Sequence, residues 1–196
     1  MPIEELNKLQ TLDIAKQVVF AYLTCERLFN NYAYFSNNFD FGEPSALREA
    51  IDFLYLNIFE KNPDKNKINL LIKEVEKNTP DTEDFNTIFV SSALDACSAL
   101  YHSLLFLIDK DFANISYIST AATDSVDMYI QEIDGLDFNA DKNFQQKIDN
   151  HSLMRKEVAI QQGIINFLCN SRTFDYGDVQ VLLDLQENNK KSNLNL

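Results

Sequence analysis

Residues 14–35 read IAKQVVFAYLTCERLFNNYAYF, and residues 89–108 read FVSSALDACSALYHSLLFLI. In the first stretch Ile14, Val18, Ala21, Cys25, Leu28, Tyr32 and Phe35 recur at steps of four and three. That spacing gathers side chains on one face of a helix. A second stripe, Ala15, Val19, Tyr22, Phe29 and Ala33, runs beside the first. Two adjacent stripes make a wide apolar face, so this helix is predicted to be central. The second stretch is longer in pure apolar runs and is its expected partner. Together they predict an all-α domain built on a buried, hairpin-like core.

The rest of the chain extends this pattern. Residues 3–10 read as a short helix or arm, and Thr11 to Asp13 supply a cap. Residues 37–44 break the periodicity, and Phe39 and Phe41 are expected to fold back onto the core. Pro44 and Ser45 open a third helix, with Leu47, Ile51, Leu54 or Tyr55, and Ile58 inward. Ile68, Leu71, Ile72 and Val75 form one face of a fourth. After the second core helix, Asn114 is read as the cap of a sixth, with Ile115, Ile118, Ala122, Val126, Tyr129 and Ile133 inward. Residues 134–141 form an acidic loop. Residues 143–170 are helical with a candidate break at 150–152, and residues 175–187 form the last helix. The expectation is a single-domain multi-helix bundle of about seven or eight helices over residues 1–187. Residues 188–196 are polar and expected to fray.

Composition agrees. The chain has 196 residues, 45% of them hydrophobic, enough to bury a real core. It holds only 4 glycines, where average usage is about 7%. Helices need few positions of positive φ, whereas strand-and-turn folds need many. Prolines fall at positions 2, 44, 63 and 80, leaving the second half free for long helices. Three cysteines, Cys25, Cys97 and Cys169, with no CxxC, imply reduced thiols and a cytoplasmic setting. The opening MPIEELNKLQ is polar and unlike a signal peptide. No unbroken apolar run reaches the ~18 residues of a membrane span.

The formal net charge is −13. A phosphate backbone or an anionic membrane would be repelled, so no nucleic acid and no membrane partner is expected. A basic protein would be attracted and steered.

Three polar features stand out from the apolar pattern. Glu26 lies on the second stripe, four residues after Tyr22 and three before Phe29. A buried carboxylate needs a partner or a raised pKa, and Arg27 points about 100° away, so the partner is expected on another helix. Asp95 sits within Ala93-Leu94-Asp95-Ala96-Cys97, on one helix face with Ala99 and His102. Asp95 and His102 are two turns, ~10 Å, apart along the axis, so they would line one cavity without bonding each other. Glu26, Asp95 and His102 therefore form a candidate polar cluster, read either as structural hydrogen-bonding groups or as a thin carboxylate–histidine site. A di-metal bundle of the ferritin kind needs Glu-x-x-His pairs, and none occurs. Third, Asp124, Asp127, Glu132, Asp134, Asp137 and Asp141 precede the next lysine and form a candidate acidic partner face. The calcium-loop pattern fails in both registers: Ile130 or Lys142 falls where a ligand or glycine is required. No nucleotide loop, GxSxG or metal spacing is present, and no cofactor is expected.

The run Phe20-Ala21-Tyr22-Leu23-Thr24-Cys25-Glu26-Arg27, then Asn31-Tyr32-Ala33 and Phe41-Gly42, resembles the start of the YjaG-like bacterial family of unknown function. Ala93-Leu94-Asp95-Ala96-Cys97-Ser98-Ala99-Leu100 resembles that family's second characteristic helix. The resemblance runs from the first core helix to the sixth and is loose in the last quarter. It implies an all-α bacterial protein, brings no catalytic residues, and hints at a signalling-associated role. The expected function is a non-enzymatic interaction or regulatory module that meets a basic protein partner through its acidic surface. The alternatives are an inhibitor or immunity-type protein against a basic effector, and a carboxylate-based metal-binding or enzymatic bundle. A homodimer is a further possible assembly.

Overall fold

The computed structural model describes residues 3–186 and 192–196. Among them it has nine α-helices, one 3-10 turn and no strand. The helices are α1 (Ile3–Gln10), α2 (Ile14–Phe39), α3 (Pro44–Leu56), α4 (Lys65–Lys77), α5 (Phe89–Asp109), α6 (Phe112–Ile133), α7 (Phe144–Asn150), α8 (Ser152–Asn170) and α9 (Tyr176–Gln186). The arm is a true helix and the candidate break is real, which brings the total to nine. At the break His151 is extended (φ −65°, ψ 143°), and its Nδ1 accepts from Leu153 N at 3.2 Å, so the imidazole caps α8.

Aspartate carboxylates cap α2, α4 and α6. Asp13 accepts from Lys16 N at 3.0 Å, and Asp64 accepts from Asn66 N at 2.9 Å. Helix α6 begins earlier than the sequence reading placed it. Asp111 is its cap, accepting from Ala113 N at 3.0 Å. Asn114 lies inside the helix and is buried, so its amide serves the α5–α6 contact instead.

Helix α5 is the centre, packed most extensively on α6 and α2 and less on α4 and α3. Among the described residues it is the one helix long and apolar enough, by length and composition, to cross a membrane. Here it is the core helix around which the bundle is built. At one end α2, the start of α3 and the end of α4 are tied at a single point. Tyr32 Oη donates to Asn78 O at 2.9 Å, Asn78 Oδ1 accepts from Glu43 N at 2.7 Å, and Gly42 lies against the tyrosine. Gly42 has φ +65°, and a Cβ there would stand 2.1 Å from the Tyr32 hydroxyl. Both the backbone angle and the space demand glycine. Phe41 also turns inward, its ring 5.9 Å from Phe35 and 5.4 Å from Phe85.

A second, smaller core joins the end of α6 to α7 and α8 through Val126, Ile130, Ile148, Leu153 and Met154. Leu194 completes it. This corrects the expectation of a frayed 188–196 tail. Residues 188–191 lie outside the described residues, but Ser192, Asn193 and Leu194 are each under 5% exposed. The polar composition misled because an asparagine amide can be buried when both its donor and its acceptor are matched.

Candidate functional site

The candidate cluster Glu26, Asp95 and His102 does not assemble. Cys25 Sγ lies 3.2 Å from Ser103 Oγ, so that face of α2 meets α5. Glu26, one residue further and about 100° round the helix, meets α3 instead. There Arg48 Nη1 and Nη2 clasp its two oxygens at 2.9 and 2.7 Å. Arg48 also donates to Asp52 at 2.9 Å and lies 5.1 Å from the Phe29 ring centre. Asp95 faces α6 and accepts from Ser125 Oγ at 2.9 Å. Burial, aided by the nearby Asp124 carboxylate, pushes the Asp95 carboxyl up to about 7 against the opposing serine bond. His102 reaches a different part of α6. Its Nδ1 is 2.8 Å from Asn114 Oδ1, and Asn114 Nδ2 donates to both oxygens of Asp109 at 3.1 and 3.2 Å. Because Asp109 takes the amide NH2, the Asn114 oxygen faces the imidazole, and Nδ1 carries the proton. Among the described residues no group of three His, Cys, Asp or Glu side chains is placed to hold a metal ion. The three residues sit in three separate contacts.

The acidic stretch is also not one face. Glu132 and Met128 line a pocket of about 320 Å³ beside Phe85, Asn86 and Ile88. Asp137 and Asp141 bond within their loop: Asp137 N donates to Asp141 Oδ2 at 2.9 Å, and Asp141 pairs with Lys147. Lys147 and the Asp137 amide hold the Asp141 carboxyl below the usual range. Asp134 is exposed on the same loop.

Asp124 and Asp127 lie elsewhere, at a groove of about 390 Å³ bounded by α6, α7 and α8. Asp149 of α7 joins them there, with Thr123 and Gln145, over a floor of Met154 and Val158. Burial and the neighbouring Asp127 raise the Asp124 pKa. Asp127 accepts from Gln131 at 2.6 Å and Asp149 from Gln145 at 2.9 Å, so amides hold two of the three carboxylates in place. Asp149 was absent from the sequence-derived face because Lys142 and Lys147 intervene in the chain.

The most buried ion pair among the described residues lies at the seam of α2, α6 and α8. Arg27 Nη2 donates to Glu157 Oε1 at 2.7 Å, with side-chain exposures of 5% and 0%. Gln161 Nε2 donates to the same oxygen at 2.8 Å, and Ser119 Oγ donates to Gln161 Oε1 at 2.7 Å. Sequence reading passed over it. The available signal was the α8 stripe Met154, Glu157, Gln161, Ile164 and Leu168, which puts two polar residues on the buried face at helical spacing. Cys25 and Cys97 are buried, and burial pushes both thiols up to about 12, which disfavours the thiolate at neutral pH.

A family described as "Protein of unknown function (DUF416)" matches residues 4–196. Among curated proteins, the uncharacterized protein YjaG of Escherichia coli (strain K12) is 30% identical over 93 residues, 47% of this chain and 47% of that protein. The uncharacterized protein YjaG of Salmonella typhimurium is 29% identical over the same shares. The chain thus spans about half the length of the curated relatives it matches. The crystal structure of a DUF416 family protein from Shewanella baltica OS155 superposes with a TM-score of 0.88 at 25% identity, covering 97% of each chain.

Proposed function

The chain belongs to the DUF416 family, whose function is unknown, and from that premise we propose that it is an interaction module that seats a basic protein segment between α6, α7 and α8. The observation that carries this reading is the groove itself: Asp124, Asp127 and Asp149 around Met154 and Val158. A lysine or arginine is the side chain that suits such a floor and rim. Its aliphatic stem lies on the thioether and the valine while its cationic head meets the carboxylates. Asp124 and Asp127 repel each other, and an incoming cation relieves that repulsion. The net charge of −13 adds a long-range field that favours encounter with basic partners and weakens with salt. A regulatory protein, or an inhibitor of a basic effector, would use the surface in the same way.

The test is affinity capture from host lysate at low and high salt, with the native chain and with an Asp124→Lys/Asp127→Lys variant. A basic protein retained by the native chain at low salt, and lost both at high salt and with the variant, supports the groove. A parallel Asp134→Lys variant on the exposed loop should retain it. Equal capture by the native chain and the groove variant, with equal melting temperatures, removes this groove as the binding surface.

A further inference from the structure

The seam of α2, α6 and α8 holds a short peptide, and that peptide is part of the chain. Residues 192–196 form a compact turn in which Ser192 Oγ accepts from Leu194 N at 3.1 Å and from Leu196 N at 3.2 Å. The turn sends two side chains inward. Asn193 Nδ2 donates to Ala122 O of α6 at 2.9 Å, and Asn193 Oδ1 accepts from Asn31 Nδ2 of α2 at 2.8 Å. Leu194 enters the apolar cluster with Ile148 and Met154. At the rim Lys156 of α8 donates to Asn195 Oδ1 at 2.9 Å. One amide read by both a donor and an acceptor, one apolar anchor and one rim contact are the elements of peptide recognition.

The floor of the slot is not fully used by its occupant. Asn31 Oδ1 has no hydrogen-bond partner, although the residue is fully buried. One turn back along α2, Arg27 Nε is equally unpartnered, as is Oε2 of its companion Glu157. Asn31 Oδ1 sits on the residue whose amide holds Asn193, so it gains a hydrogen bond from water when the slot opens. That gain offsets part of what is lost when Asn193 and Leu194 withdraw.

We propose that this seam is a peptide-recognition slot for an Asn-Leu pair, and that residues 192–196 are its displaceable ligand in cis. The inference is independent of the acidic groove, which it neither uses nor requires. In cis the segment has a high effective concentration, so the slot stays filled until a competing segment of the same chemistry outbids it.

The experiment uses a fluorescently labelled peptide Ser-Asn-Leu-Asn-Leu, the full chain, and a chain lacking residues 192–196. The peptide should bind the shortened chain saturably and the full chain at least ~10-fold more weakly, because the cis segment competes. Replacing the peptide's first asparagine, the counterpart of Asn193, by alanine should weaken binding about tenfold, the loss of roughly one well-formed buried amide contact. Equal affinity for both chains, equal affinity of the two peptides, or no binding to a folded shortened chain each overturns the proposal. Should the shortened chain not fold, the full chain carrying Asn193→Ala decides. Amide exchange at the start of α8 should then quicken about tenfold while that of α5 stays unchanged. Unchanged exchange at α8, or equal quickening in α5, overturns it.

Discussion

Helix α2 has two unlike neighbours. Towards α5 it offers Cys25 to Ser103, with Leu28 and Phe35 in the main apolar core, and the fully buried Tyr32 phenol has its acceptor in Asn78. Towards α8 it offers Arg27 and Asn31, fixed by Glu157 and Asn193 and leaving three polar atoms unpartnered. The first contact is held by area, which many apolar side chains of similar volume supply. The second is held by matched charge and hydrogen bonds, where removing one member strands the other. The same helix thus carries a tolerant face and an exacting one.

Glu157→Ala is the strongest way to break this contrast. It leaves the Arg27 guanidinium buried without its carboxylate, and the expected loss is about 3–5 kcal/mol in urea unfolding. Replacing both partners, Arg27→Met with Glu157→Leu, should recover part of that loss, since two apolar side chains of similar size leave only the Gln161 N–H without its carboxylate. A single variant that costs no more than an exposed substitution would mean that the two faces are alike after all.

On the tolerant side the exacting point is Gly42. Gly42→Ala places a methyl group on the Tyr32 hydroxyl and forces alanine to φ +65°, at an expected cost of roughly 2–4 kcal/mol. Adding Tyr32→Phe removes the obstructing oxygen, so the double variant should lose less than the sum of the singles. Strict additivity would show that the backbone angle alone carries the cost.

These two experiments mark what was legible in the chain. The helices, the central pair and the inward stripes follow from periodicity, because an apolar face must be buried wherever its partner lies. The Arg27–Glu157 pair joins positions 130 apart in the chain, and no local pattern states which distant charge completes a buried one. Glu26 and Asp95 stand out in the sequence as polar residues on apolar faces, but their grouping with His102 assumed a shared cavity. A rotation of one residue sent Glu26 to α3, and each of the others met its own partner on α6. The 192–196 segment was missed because polarity was equated with exposure. The groove was half-visible: Asp124 and Asp127 were in the acidic stretch, but Asp149 reaches them only through the turn before α7.

Asp95 gives a pH-dependent version of the comparison. Its pKa is near 7 in the fold against an ordinary value of 3.8. Between those values the folded chain binds more protons than the unfolded one, so stability falls as pH rises and the full penalty is present above pH 7. Asp95→Asn keeps an acceptor for Ser125 and removes the ionisation. It should stabilise the protein at pH 8 by about 1–2 kcal/mol and have little effect at pH 4. A variant that destabilises equally at both pH values would mean that the carboxylate is held by a favourable interaction outweighing its burial.

The smallest effect is expected at Glu26, the residue that the sequence made most conspicuous. Its Arg48 partner is bidentate, yet the two side chains are 22% and 33% exposed. Water solvates both charges once the pair is broken, and Arg48 keeps Asp52 and the face of Phe29. Glu26→Gln should therefore cost only ~0.5–1 kcal/mol, and less in high salt. The contrast with Glu157→Ala is the informative quantity: two glutamate–arginine pairs on the same helix, one residue apart in α2, differing chiefly in access to water. If Glu26→Gln proves as damaging as Glu157→Ala, burial does not set the hierarchy. The α2–α3 contact would then rank with the seam as a second exacting surface.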